Sequence, residues 1–197
     1  MNCLISILSK VTPALNAEEC EALFKEIAEL LINKCAICVR DRQYMLLEIE
    51  FYYYNPNIDD FRDNNEKKKV TYQRITPVAQ WFFHSSGVDL TFESNKNEGY
   101  GGGILIRKII DDNGKITEGS LRCYWELFGK YTDAFSAKVD NPHIIQIEPA
   151  NNIIVTSNRH NIPDRNNRQW RFRAYKTLPD KSCYQKELQV LSGSEVR

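Results

Sequence analysis

Residues 45–52 read MLLEIEFY, a run of core-forming side chains interrupted by two glutamates. In an extended strand, alternate residues share a face. Leu47, Ile49 and Phe51 are then expected on one face, with Glu48, Glu50 and Tyr52 on the other. Two like charges about 7 Å apart on one strand face are tolerable in water. Under an apolar cover they are costly unless paired or protonated. The pattern alone leaves two explanations open. One is an edge strand with a solvated face, or carboxylates paired to Arg40 or Arg42. The other is a hydrolytic site in which one glutamate polarises a water. Tyr52, Tyr53 and Tyr54 follow directly, and aromatic rings beside a carboxylate suit a pocket that stacks a flat ligand such as a flipped nucleobase.

The segments on either side set the fold class. NAEECEALFKEIAELLINK (16–34) reads as a helix. Asn16 can cap it, Glu19 completes a capping box, and Leu23, Phe24, Ile27, Leu30 and Leu31 form an apolar face. CAICVR and YMLLEIEFYYY read as two strands around the turn RDRQ. Residues 55–75 form a long, polar, highly charged loop. QWFFHSSGVDLTFES (80–94) gives two strand segments broken at Ser86–Gly87, and NKNEGYGGG (95–103) a loop before the strand ILIRKII (104–110). The glycines lead into a β-branched strand rather than a helix, which argues for a loop or bulge and against a phosphate-binding loop.

LRCYWELFGKYTDAFSA is helical at its start, and HIIQIEP and NNIIVTSN are extended. In QWRFRAY, Trp170, Phe172 and Ala174 are expected inward and Arg171 and Arg173 outward. One helix ahead of many strands predicts an α+β fold: a single domain over 1–197 with a mainly antiparallel sheet and a flexible tail at 192–197.

Composition narrows the function classes. Lys+Arg and Asp+Glu each number 26, so formal net charge is zero and the whole molecule has no strong field for nucleic acid or anionic membrane. No run approaches transmembrane length. MNCLISILSK reads as an ordinary terminus rather than a signal peptide. Of the six cysteines only Cys35 and Cys38 are close, and on a strand their thiols face opposite ways. The expectation is reduced cysteines in a cytoplasmic protein, monomeric and without a membrane partner. His84, His143 and His160 lack metal-ligand spacing, so no metal site is expected. Trp81 and Trp125 are expected in the core. Asp89 is either a pocket group or a solvated residue beside a turn. Arg107 interrupts an apolar strand and should pair with Glu48 or Glu50.

Five stretches, in order, carry a resemblance: AELLINKCAICV, LEIEFYYYNPNIDD, QWFFHSSGVDLTF, GGGILIRKI, and NRHNI followed by QWRFRAY. Together they resemble the alkyladenine (3-methyladenine) DNA glycosylases, in their curved, barrel-like antiparallel β-sheet fold flanked by a few helices. The resemblance implies that Glu50 activates a water that attacks the sugar C1′ of an extruded damaged purine. It implies that Tyr52 and Phe83 sandwich the base, and that Arg159 faces phosphate, with Arg171 and Arg173 as further phosphate contacts. Glu48, His84, Asp89 and Arg107 would supply the polar groups of the pocket. The implied partner is damaged DNA, single-stranded or weakly bound, or a modified purine, and the implied process is base excision repair without a cofactor.

Three departures from the family pattern are visible. Ser86 stands where the family inserts a tyrosine wedge into the duplex. The loop NPNIDDFRDNN has Asp59, Asp60 and Asp63 but no histidine, with His84 as a substitute from the neighbouring strand. The chain is also neutral where the family's DNA face is basic. The alternatives are a non-catalytic nucleobase- or nucleic-acid-binding homologue, and an unrelated α+β interaction domain.

Overall fold

The computed structural model describes residues 2–58, 76–129, 141–162 and 168–175. Asp59, Asp60 and Asp63, most of the 55–75 loop and the 192–197 tail lie outside the described residues. The chain forms a single α+β domain in which a curled antiparallel sheet makes a half-barrel. Helices α1 (Asn2–Leu8) and α2 (Ala17–Lys34) come first. The strands are β1 (Cys35–Val39), β2 (Arg42–Tyr54), β3 (Trp81–His84), β4 (Gly87–Thr91), β5 (Gly101–Asp111), β6 (Ile116–Glu118), β7 (His143–Gln146), β8 (Ile153–Ser157) and β9 (Arg171–Tyr175). Helix α3 (Ser120–Phe128) lies between β6 and β7. None of the helices is long and apolar enough to cross a membrane.

Two helices rather than one precede the sheet. The seven residues of α1 are too few to show a helical period, but Leu4, Ile7 and Leu8 are buried. The start of α2 follows its sequence: Asn16 accepts from the Glu18 and Glu19 N–H groups, and the Glu19 carboxylate accepts from Asn16 N–H at 2.9 Å. Phe24 of α2 is the centre of the core. Its ring stacks on Phe51 at 4.4 Å and on Phe92 at 5.6 Å, and meets Trp170 edge-on at 5.0 Å.

The sheet is a fork built on one long ladder, β2 against β5. On one side, β1 pairs with β2 at residues 42–45, whereas β9 pairs with it at 48–50. On the other, β4 pairs with β5 at 103–105 and β6 at 108–110. β2 is therefore a central strand with neighbours on both sides, not the edge strand of the first sequence alternative.

Both forks open where the β2–β5 register breaks. Leu46 pairs with Ile109, Glu48 with Lys108 and Ile49 with Ile106, so Leu47 and Arg107 are each an extra residue. Paired bulges of this kind reset the inside–outside alternation. Leu46, not Leu47, is the buried partner of Ile49 and Phe51, which corrects the simple period-two expectation. The same event puts Glu48 and Arg107 together on one face, where they form an ion pair.

The glycine run is also strand rather than loop. Gly101, Gly102 and Gly103 pair with Tyr54, Tyr53 and Tyr52. A Cβ on Gly102 would fall on the Tyr52 carbonyl oxygen and lie 2.9 Å from Tyr53 Cα. Glycine is required there because the two backbones approach too closely for a side chain.

Candidate functional site

Register places the candidate residues. Directly paired residues of an antiparallel ladder share a face. Phe82, Asp89, Leu105, Glu50 and Arg171 form one continuous row across β3, β4, β5, β2 and β9. Glu48 and Arg173 form the neighbouring pair on the same face. Trp170 and Phe172 point to the core as expected, and Arg171 and Arg173 lie on the opposite face, Arg171 against the carboxylates and Arg173 half-buried.

The two glutamates and two of the arginines make one network. Arg107 Nε donates to Glu48 Oε1 at 2.9 Å, and its Nη1 lies 3.4 Å from Glu50 Oε2. Arg171 donates to Glu48 Oε1 through Nε at 2.9 Å and is 2.8 Å away through Nη2. Its Nε is also 3.6 Å from Glu50 Oε1. The pairing expected for Arg107 is thus present, with both glutamates. Arg42, the alternative partner, lies instead 3.5 Å from Asp111.

Glu50 is fully buried and engaged on both oxygens. Tyr52 Oη donates to Oε2 at 2.7 Å, and the His160 backbone N–H donates to Oε1 at 2.8 Å. Burial, and then the Glu50 charge, push the Tyr52 hydroxyl well above its ordinary range, so it stays a donor. The His160 N–H had no counterpart in the sequence reasoning: a backbone donor leaves no signature in residue type.

Several expected roles meet different surroundings. Phe83 pairs with Val88, so it faces the core side of the sheet. It is 51% exposed there and packs edge-on against Phe128 and Tyr124 of α3. It does not sit opposite Tyr52; the aromatic residue of β3 in the Glu50 row is Phe82. Arg159 is only 4% exposed, with its guanidinium 5.1 Å from the Tyr52 ring and 5.3 Å from the Trp170 ring. It covers Tyr52 by a cation–π contact rather than reaching outward for phosphate.

His84 Nδ1 accepts the Ser86 N–H at 3.2 Å, so its proton is on Nε2, which donates to the fully buried Asp89 at 3.0 Å. That pair closes the β3–β4 turn and resolves Asp89 as buried, not solvated. Ser86, at the wedge position, is exposed. Trp125 is 58% exposed and is not a core residue, whereas Trp81 packs against the core.

A cavity of about 550 Å³ opens over this network. Glu48, Arg107, Arg171 and His160 line it on the sheet side, and Gly119 and Arg122 at the start of α3. α3 reaches this place because Gly119 N–H bonds to the carbonyl of the bulged Arg107 at 2.8 Å. Gly119 has φ 101°, a conformation that favours glycine. Among the described residues no group of three metal-ligating side chains converges. The thiols of Cys35 and Cys38 are both free. No protein-family model matches the chain, and no curated protein matches it.

Proposed function

We propose that the chain is a glycosylase-like hydrolase that cleaves the N-glycosidic bond of a damaged purine. The observation that carries this is the buried glutamate pair held by Arg107 and Arg171, of which Glu48 lines a cavity of about 550 Å³. That volume suits a nucleoside-sized ligand. A fixed carboxylate beside an open cavity is what proton abstraction from water requires. The water oxygen bonds to C1′, and the electron pair of the breaking bond leaves with the base. An alkylated, cationic purine departs neutral, so no separate acid is needed.

The substrate class is single-stranded or nucleotide-level rather than duplex. Ser86 is too small to fill the gap left by an extruded base. Zero net charge supplies little of the phosphate attraction that duplex binding uses. Incubation with methylated single-stranded and duplex oligonucleotides, with free base read by chromatography, tests the proposal. Release is expected from the single strand in excess of the duplex, and none from a Glu48→Gln, Glu50→Gln double variant. Absence of release from every methylated substrate would exclude hydrolysis. Binding of the same oligonucleotides without release would identify the second function, a non-catalytic nucleobase-binding protein, which the complete engagement of Glu50 favours.

A further inference from the structure

We propose that Glu48, rather than Glu50, is the carboxylate that meets the ligand, and that Glu50 is a positioning residue beneath it. The reaction assigned to Glu48 rests on the hydrolase proposal above; the choice between the two residues rests on their atoms. Glu48 lines the cavity and Glu50 does not. The donors to Glu48, Arg107 Nε and Arg171 Nε, both arrive at Oε1 at 2.9 Å, and Arg171 Nη2 lies 2.8 Å from the same oxygen. Among the described residues, none donates to Oε2. A carboxylate fixed through one oxygen keeps the lone pairs of the other for a water.

Glu50 is arranged the opposite way. Tyr52 Oη occupies Oε2 at 2.7 Å and His160 N–H occupies Oε1 at 2.8 Å. A group with both oxygens engaged, and with no exposed surface, offers an attacking water no place. Its contribution is to the arginines. Arg107 and Arg171 each reach both glutamates, so the Glu50 charge fixes the guanidiniums that fix Glu48.

In the resulting step, a water on Glu48 Oε2 gives that oxygen a proton as it bonds to C1′. The C1′–N bond breaks, its electron pair leaves with the cationic purine, and the proton on Glu48 returns to solvent through the cavity.

Two measurements on the full chain decide this. In the first, the folded protein is treated with a water-soluble carbodiimide and glycine ethyl ester, and labelled peptides are read by mass spectrometry. Glu48 is expected to label and Glu50 to remain unlabelled. Labelling of Glu50 alone, or of neither, would overturn the proposal, with or without any activity. In the second, base release from a methylated single strand is followed against pH for Glu48→Gln, Glu48→Asp and Glu50→Gln, each first shown to be folded by circular dichroism. Glu48→Gln should lower release at least about 100-fold, in the range of a lost general base. Glu48→Asp should recover part of it. Glu50→Gln should lower release less than Glu48→Gln does, while displacing the acidic limb of the pH profile. Loss of release in Glu50→Gln with retention in Glu48→Gln would reverse the assignment. Failure of the wild type to release base would remove the hydrolytic step but leave the labelling result to identify the ligand-facing carboxylate.

Discussion

Arg107 shows how one side chain makes an otherwise unfavourable arrangement stable. Its guanidinium lies between two carboxylates that together would be costly to bury. Truncating one partner of a buried ion pair leaves the other charges uncompensated, a cost of about 3–5 kcal/mol. Arg107→Met should therefore lower stability by about that amount, read as a reduced urea midpoint. Arg42→Ala should lower the midpoint far less, because Arg42 is half exposed and buried Asp111 keeps the N–H groups of Asn113 and Lys115. Equal effects of the two substitutions would show that the network contributes nothing special. The Arg107 pairing was legible in the sequence because a cation inside an apolar strand needs a partner. The place of Phe83 was not. Phe82 and Phe83 are chemically equivalent neighbours, and only the β3–β4 register decides which of them shares a face with Glu50.

At the scale of elements, the β2–β5 ladder determines where the site forms. Its paired bulges keep Leu46, Ile49, Ile106 and Ile109 in the core while turning Glu48 and Arg107 together onto the opposite face. Its far end depends on Gly102, where a side chain has no room against the Tyr52–Tyr53 backbone. Gly102→Ala should cost about 1–3 kcal/mol or more, because neither backbone can yield without opening the ladder. Urea unfolding measures this, and a midpoint within error of wild type would mean that the ladder is looser than its geometry. The capping box of α2 was read from Asn16 and Glu19 because it is local, spanning three residues. The bulges were not, since a break in register belongs to two strands whose partners lie some 60 residues apart in sequence.

For the whole molecule, burial of titratable groups sets the response to pH. Burial pushes the Cys20 thiol, and burial with the nearby Glu48 charge pushes the Cys123 thiol, up to about 12. Burial also raises Cys35 and Tyr53. In the unfolded chain a thiol titrates near about 8.5. Above that pH the unfolded state sheds protons that the native state keeps, so stability falls as pH rises through the interval up to about 12. The urea midpoint should decrease steadily from about pH 8.5 upward. Cys20→Ala and Cys123→Ala should each make the decrease shallower. A midpoint independent of pH over that interval would contradict the burial of these thiols.

Local chemistry sufficed for the α2 cap and apolar face, most of the strands, the α+β class, and the need of two adjacent glutamates for cationic partners. Each of these follows from residue type and short-range period. Only the folded sheet decided that Arg171 joins Arg107 on Glu48, that Arg159 covers Tyr52, that a backbone N–H closes Glu50, and that Glu48 rather than Glu50 lines the cavity. Those contacts join segments between about 60 and more than 100 residues apart, and they depend on register and on which face each strand presents, neither of which is encoded by any one segment alone.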